Sequence, residues 1–362
     1  MDLTFIMVPF FTGLAAFSLA VFNNVEAVNI EAISVPPAVT SKTGFTDAIV
    51  VTRLAHRMQE IEKEAQSRAD AKEVMAHDDG GSAAVLGEYF GLSAMLKVVQ
   101  TSFGLIPYSF SGEIVLHDKK LEMILRGHDN AHHESFIHQV AAEDDLLGLI
   151  NKTAYEAVRV IDPSVLAAYQ FKHDYLTRDF TATENVIRRG LASEDARTHK
   201  WLLNLWGIVR YQQADRDGAI EKFRQALELD PKFASARFNW GVALARQGML
   251  EEAIKRFKEV VQTWRSGDQL DTLAAAYTEW GFSLALQGRT EEAFAKFRTA
   301  AATDPTFSDV YTSWAEVLSA AGRSDEAQKM TDRSLQLARV EKVYTDNLVG
   351  RVQSLPAVAT AH

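Results

Sequence analysis

The 362-residue chain contains no cysteine, which excludes disulfides, thiolate zinc sites and cysteine nucleophiles whatever compartment the protein occupies. Positive charge is missing from the start of the chain, since the first Lys is Lys42 and the first Arg is Arg53. A cleaved secretory signal opens with a basic stretch, and this N-terminus has none. Across the whole chain 38 Lys and Arg stand against 48 Asp and Glu, a net charge of −10. Affinity for phosphate backbones comes from clustered Lys and Arg, so no nucleic-acid partner is expected. Also missing are a Ser-His-Asp motif, a phosphate loop and a dinucleotide fingerprint; Asp79-Gly80-Gly81-Ser82 reads only as a turn. No enzymatic activity and no cofactor are expected.

What is present begins with residues 4–22, TFIMVPFFTGLAAFSLAVF, a run without a single charge. A membrane span needs roughly 20 apolar residues, so this run is long enough. Residues 1–24 are expected to be an uncleaved transmembrane anchor, with a cleaved signal or a buried soluble helix as the alternatives. Glu26 and Glu31 follow the run and do not oppose export of what comes after it.

Residues 25–162 change period several times, as an α+β domain does. A strand fits the Val- and Ile-rich stretch that ends at Pro36-Pro37. Thr46-Asp47 opens a helix with Val51, Leu54, Met58, Ile61 and Ala65 on one face. A second helix, capped by Ser82, carries Leu86, Phe90, Leu92, Met95 and Val99. From Tyr108 the residues alternate, turn at Asp118-Lys119-Lys120 and alternate again through Leu121, Met123 and Leu125, which predicts an antiparallel hairpin. A further strand is expected within 135–140. A helix is expected over 141–162, with Leu146, Leu147, Ile150, Ala154, Ala157 and Val158 inward and Pro163 as its stop. The expected order is β-α-α-β-β-β-α.

Beyond Pro163 only helical periods remain, and the chain becomes self-similar. Trp206-Gly207, Trp240-Gly241, Trp280-Gly281 and Trp314-Ala315 open four frames spaced 34, 40 and 34 residues apart. Each frame continues with an alanine at Ala219, Ala253, Ala293 or Ala327, and three of them with Phe223, Phe257 or Phe297; Thr331 breaks the series. Gly248, Gly288 and Gly322 fall where a first helix must end and the chain turn. Pro231 and Pro305 close two of the frames. Such a unit is a helix pair that cannot bury its apolar stripe alone, so neighbours must stack. The small Gly and Ala residues let the helices approach, and Trp and Phe fill the gaps between successive pairs, so the four frame-opening tryptophans are read as core packing.

These offsets resemble the tetratricopeptide repeat family. The resemblance implies an all-α solenoid over residues 163–345, with four clear repeats and a degenerate fifth in 166–200 marked by Tyr169 and Ala182, followed by a tail at 346–362. More loosely, Ile33-Ser34-Val35-Pro36, Tyr108-Ser109-Phe110-Ser111-Gly112-Glu113 and Asp162-Pro163 are similar to segments of proteobacterial envelope proteins that join one N-terminal span, a small α+β domain and tetratricopeptide repeats. That likeness implies a single-pass protein of a bacterial inner membrane with its C-terminal bulk in the periplasm.

By the same resemblance, the first helices line a groove that holds a protein partner, itself membrane-bound or periplasmic. The inward positions would be Asn204, Ile208, Tyr211, Phe238, Val242, Arg246, Thr278, Phe282 and Glu316. This set is more apolar than the Lys/Asn/Arg set with which some members of the family hold a peptide carboxylate. Trp201 and Trp264 fall outside the packing register and are read as surface candidates. His128, His132, His133 and His138, with Asp129 and Glu134 nearby, are the one constellation with metal-ligand chemistry, although their spacing matches no helical metalloprotease motif. Solvated loop histidines are the favoured reading. The competing one is a metal- or ligand-responsive domain in 25–162 that uses the repeats as its output arm. Asp144-Asp145 and Glu251-Glu252 are read as helix starts, where the macrodipole favours negative charge.

Overall fold

The computed structural model describes residues 28–65, 108–129, 133–193, 196–264 and 270–340. The chain divides into two compact units, residues 1–173 and 174–362.

The first unit is built on a small mixed sheet of four strands in the order β1-β2-β3-β4. Its centre is the expected hairpin, β2 (Tyr108–His117) with β3 (Lys120–Asp129). Asp118 and Lys119 both take left-handed backbone, φ 47° and 59°, the geometry that lets a two-residue turn follow the twist of its strands. Leu121, Met123 and Leu125 alternate inward and are fully buried. β4 (Glu134–Ala142) pairs antiparallel with β3, and β1 (Val28–Ser34) pairs parallel with β2. Ile33, Phe110, Ile114, Ile137 and Ala141 complete the buried side of the sheet.

Helices cover that side. α1 (Pro37–Thr43) was not expected; Pro37 at the first helical position presets φ and starts a short helix where the prolines read as a stop. α2 (Asp47–Ala65) buries Val50, Leu54, Met58, Ile61 and Ala65, so its stripe begins one residue before the expected Val51. α3 (Leu146–Ile161) starts later than expected because Ala141 and Ala142 still belong to β4. The Asp145 carboxylate caps α3, accepting from the Gly148 amide at 2.9 Å. Leu147 is 52% exposed, and Leu149 takes the inward place assigned to it. The helix expected after Ser82 lies outside the described residues, as does the turn before it.

The second unit is helical throughout its described residues. α4 (Pro163–Thr177) runs across the division between the units, and α5 (Thr181–Leu191) follows it. Then come four helix pairs: α6 (His199–Gln212) with α7 (Arg216–Leu229), α8 (Ala234–Arg246) with α9 (Leu250–Thr263), α10 (Leu270–Leu286) with α11 (Thr290–Thr303), and α12 (Ser308–Ala320) with α13 (Ser324–Val340). The two helices of each pair pack together, and each pair packs on the next.

The expected small-residue contact exists; its partner is a ring at Gly207 and Gly241, and both a ring and the Ala293 backbone carbonyl at Gly281. A Cβ built on Gly207 would lie 2.4 Å from the Phe223 ring, and one on Gly241 would lie 2.6 Å from the Phe257 ring. In the first three pairs the phenylalanine of the second helix thus lies on the glycine of its own first helix, and Phe223, Phe257 and Phe297 are all fully buried. Gly248, Gly288 and Gly322 end their helices in left-handed backbone as expected. Each closes the same pair of bonds, for example Gly248 N–H to the Ala245 carbonyl and Met249 N–H to the Leu244 carbonyl, both 3.0 Å. The first pair makes this turn at Ala214, φ 64°, without a glycine.

In the segment expected to hold a fifth repeat, Ala182 is exposed while Thr183, Val186 and Ile187 are buried. Tyr169 makes its contacts inside the first unit, where Arg57 Nη2 donates to its hydroxyl at 2.9 Å. Among the described residues no helix is long and apolar enough to cross a membrane, and residues 4–22 lie outside them.

Candidate partner-binding face

The nine residues expected to face a partner sit on four successive first helices: three on α6, three on α8, two on α10 and one on α12. Their spacing of three or four residues places those of one helix on one side of it. The structure sorts them by exposure. Asn204, Ile208, Val242, Thr278 and Phe282 are buried, Tyr211, Phe238 and Arg246 are half-buried, and Glu316 is exposed.

The buried members are occupied within the array. Asn239 Nδ2 donates to Asn204 Oδ1 at 2.9 Å, a buried link between α8 and α6. The Thr278 hydroxyl donates back to the Ala274 carbonyl at 2.8 Å. Val242 packs in a cluster with Leu244, Ala245, Ala253 and Phe257, and Phe282 in the next cluster with Phe294 and Phe297.

Tyr211, Glu279 and Phe282 gather around Arg246. Its guanidinium stands 5.9 Å from the centre of the Phe282 ring, and its Nη2 is 3.6 Å from Glu279 Oε1. Burial pushes the Tyr211 phenol above its ordinary range, and the Arg246 charge pulls it back. Tyr211, Arg246, Glu279 and Phe282 therefore form one patch across α6, α8 and α10, with a cation, an anion, a phenol and a ring side by side. Glu279 was missed in the sequence reading. The signal was its place beside Thr278, one repeat on from Arg246, where a carboxylate can meet the guanidinium.

The histidines do not converge. His138 lies opposite Ile124 and bonds Glu122 at 2.9 Å, while His128 lies opposite Glu134, four positions along the same strand pair. Four strand residues span about 13 Å, too far for two imidazoles to share an ion. His133 bonds Asp129 at 2.9 Å and is exposed; His132 lies outside the described residues. Among the described residues no group of three or more His, Asp or Glu is placed to hold a metal. Asp145 and Glu251-Glu252 stand at helix starts as expected.

The four frame-opening tryptophans pack as expected: Trp206, Trp240, Trp280 and Trp314 lie half-buried against the core clusters of the array. Trp201, read as a surface candidate, is half-buried too and packs edge-on against Phe233 at 4.3 Å. Trp264 is likewise half-buried, at the end of α9.

Residues 204–268 match the family model described as tetratricopeptide repeat. No curated protein matches the chain. Several solved structures are similar to it. PilF of Pseudomonas aeruginosa is 19% identical, with a TM-score of 0.41 over 52% of this chain and 86% of its own. TTC0263, a thermophilic TPR protein of Thermus thermophilus, is 21% identical, with a TM-score of 0.40 over 49% and 90%. MamA of Desulfovibrio magneticus RS-1 is 16% identical, with a TM-score of 0.38 over 50% and 98%. With the family model matched across α6 to α9, and the same Gly, Phe and turn positions recurring in the next helix pair, the C-terminal unit of this chain carries a tetratricopeptide-repeat array.

Proposed function

We propose that this protein is a membrane-anchored scaffold that holds a partner protein on the first-helix face of its repeats. Residues 4–22 are the anchor in a bacterial inner membrane, and the bulk of the chain, residues 25–162 and the array, lies on the periplasmic side. The partner is a polypeptide, membrane-bound or periplasmic, and the protein performs no chemistry on it. The observation that carries this reading is the patch of Tyr211, Arg246, Glu279 and Phe282. It brings mixed polar and aromatic side chains from three successive repeats together, with Tyr211, Arg246 and Glu279 half-buried beside the buried Phe282 ring. Arg and aromatic residues are the types that carry most binding energy at protein interfaces.

The test uses the full chain, crosslinked in cells and extracted with detergent. The parent is expected in the membrane fraction, resistant to salt extraction, with a crosslinked partner. Arg246→Ala and Tyr211→Phe should each weaken partner recovery by about 1–2 kcal/mol, roughly five- to thirtyfold, without moving the unfolding midpoint of the array. Recovery of the same partner by both variants at parental level sinks the groove assignment. A protein that is soluble without detergent and retains its N-terminus sinks the anchor.

A further inference from the structure

The sheet of the first unit has two edges, β1 and β4, and they are built differently. β1 is broken by an irregularity between Ile30 and Ile33, and Pro36-Pro37 follow it directly. β4 runs from Glu134 to Ala142 in unbroken register with β3 and contains no Lys, Arg or Pro. Among the described residues no strand pairs with its outer side. Bulges, prolines and lysines are what normally keep an edge strand from pairing again, and β4 has none of them.

Two bonds at the ends of the β3–β4 ladder fix which backbone groups β4 turns outward. Asp129 N–H donates to the His133 carbonyl and Glu143 N–H to the Lys119 carbonyl, both at 3.2 Å. With the register unbroken between them, the odd-numbered residues of β4 are the ones that bond β3. The even-numbered ones, Glu134, Phe136, His138, Val140 and Ala142, point their N–H and C=O groups away from β3. Their side chains share the face opposite the buried Ile137 and Ala141, and all five residues are exposed. Phe136 is 66% exposed and Val140 40%, so the edge carries two bare apolar side chains.

We propose that β4 is a dimerisation edge whose occupant is β4 of a second copy of this chain, antiparallel about a twofold axis at His138. Hydrogen bonds close only where even-numbered residues face even-numbered ones. Of the registers that allow this, the one centred on His138 alone uses all five outward residues, each pair exchanging two bonds. It sets Phe136 of each copy opposite Val140 of the other, so the bare apolar side chains cover one another. It also sets Glu134 opposite Ala142, and Lys120 stands beside Ala142 on β3. Lys120 and Glu134 are exposed, and neither forms an ion pair with another described residue. Across the small Ala142 they meet twice, once on each side of the axis. The two His138 side chains meet on the axis, each bonded to the Glu122 of its own copy at 2.9 Å. No carboxylate lies opposite a carboxylate. The charge of −10 on each copy opposes approach only weakly at physiological salt, where the screening length is about 8 Å. This match of the strand with itself selects a second copy over an unrelated strand. The inference concerns the first unit and does not rest on the partner-binding face.

The test places single cysteines in the full chain, which has none of its own, and oxidises it mildly. His138→Cys is expected to give a disulfide-linked dimer, because residues facing each other across hydrogen-bonded antiparallel strands stand about 5.5 Å apart at Cα, within disulfide range. Phe136→Cys and Val140→Cys should each fail to link to their own copy, about 13 Å away along the strand, yet should link to one another when co-expressed. Lys329→Cys, exposed in the array, reports random collision. Val140→Pro removes only an N–H that points away from β3. It should leave the first unit folded and lower the yield of the His138→Cys dimer about tenfold. Phe136→Lys with Val140→Lys puts like charges opposite at both apolar pairs and should do the same, which keeps the test open if the proline disturbs the strand. Equal linking of His138→Cys and Lys329→Cys, self-linking of Phe136→Cys or Val140→Cys, or a dimer that survives both blocking changes overturns the proposal. So does a His138→Cys chain that never links, the result expected if another segment of this chain or a foreign strand holds the edge.

Discussion

The Phe257 ring rests on Gly241, so a methyl group added at that glycine enters occupied space. The new Cβ would stand 2.6, 2.9 and 3.0 Å from three ring carbons, against about 3.5–4.0 Å for carbons in contact. The ring is fully buried and is hemmed in by Phe238 at 5.9 Å. It must move by roughly 1 Å, and overpacking of this kind costs about 1–3 kcal/mol. Replacing helical Gly by Ala returns about 1 kcal/mol of backbone propensity. The net loss for Gly241→Ala is then about 1 kcal/mol, while Gly241→Leu has no such offset in scale and should cost about 3 kcal/mol or more. Clearance also orders the repeats. Gly207→Ala meets its ring at 2.4 Å and should be the worst, while Gly281→Ala meets Phe297 at 3.0 Å and the Ala293 carbonyl oxygen and Lys296 Cβ at 3.1 Å and should cost the least. All six tryptophans lie between Trp201 and Trp314, so tryptophan emission during urea unfolding reports the array alone. With m of about 1–3 kcal/mol/M, a loss of 1 kcal/mol moves the midpoint down by about 0.3–1 M. A broader transition is also expected when a central interface weakens, because each repeat is held mainly by its neighbours. If Gly281→Ala proves worse than Gly207→Ala, or if none of the three moves the midpoint, the ring-on-glycine contact does not set the packing and the register of the array is wrong.

Two further outcomes follow from the same structure. Ala214 holds left-handed backbone where the other three repeats have glycine, a strain of about 1–2 kcal/mol that Gly relieves at a smaller entropic cost. Ala214→Gly should therefore stabilise the array by about 0.5–1 kcal/mol, read as a higher urea midpoint in tryptophan emission. Glu62 is pushed up to about 7 from an ordinary 4.5, by burial first and then by the Asp162 carboxylate. The folded first unit thus binds that proton more tightly than the unfolded chain. Its contribution is fully present below about pH 4.5 and is lost as pH rises through 7, a swing on the order of 1–3 kcal/mol. Glu62→Gln should abolish that part of the slope in calorimetric unfolding of the first unit; an unchanged pH dependence refutes the assignment.

What could be read in the sequence depended on how local the cause was. The hairpin was legible because alternation and a polar turn are contiguous, and the repeat because Trp-Gly, Ala and Phe recur at fixed offsets. Helix α1 was not, since two prolines announce a stop and a start equally well. The start of α3 was misplaced because Ala141 and Ala142 suit a strand as readily as a helix, and pairing with β3 decided between them. At the candidate site the helix face was legible from spacing alone. Exposure along that face was not, because it depends on which side chains the neighbouring repeat brings against it. Trp201 was misread as a surface residue for the same reason: its packing on Phe233 depends on a contact no local pattern announces.

The division of the first-helix face into buried and open members bears directly on how recognition would work. Ile208, Val242 and Phe282 point the same way as Tyr211, Phe238 and Arg246 along their helices, yet they are consumed in packing one repeat against the next. Truncating a buried one removes packing at a cost of about 2–5 kcal/mol, so any effect on a partner comes through the shape of the array. Truncating the exposed Glu316 leaves the repeats stacked and would change only what a partner meets, whereas Phe238 also packs on the Phe257 core. Asn204 belongs with the first group despite its polarity, because its carbonyl is committed to Asn239 in a site that excludes water. Replacing either asparagine by Ala strands the other and costs about 1–3 kcal/mol. In the proposed scaffold a partner would then be read by Tyr211, Arg246 and Glu316. The buried set would fix the spacing at which those three are presented, and that spacing is what such a partner would have to match.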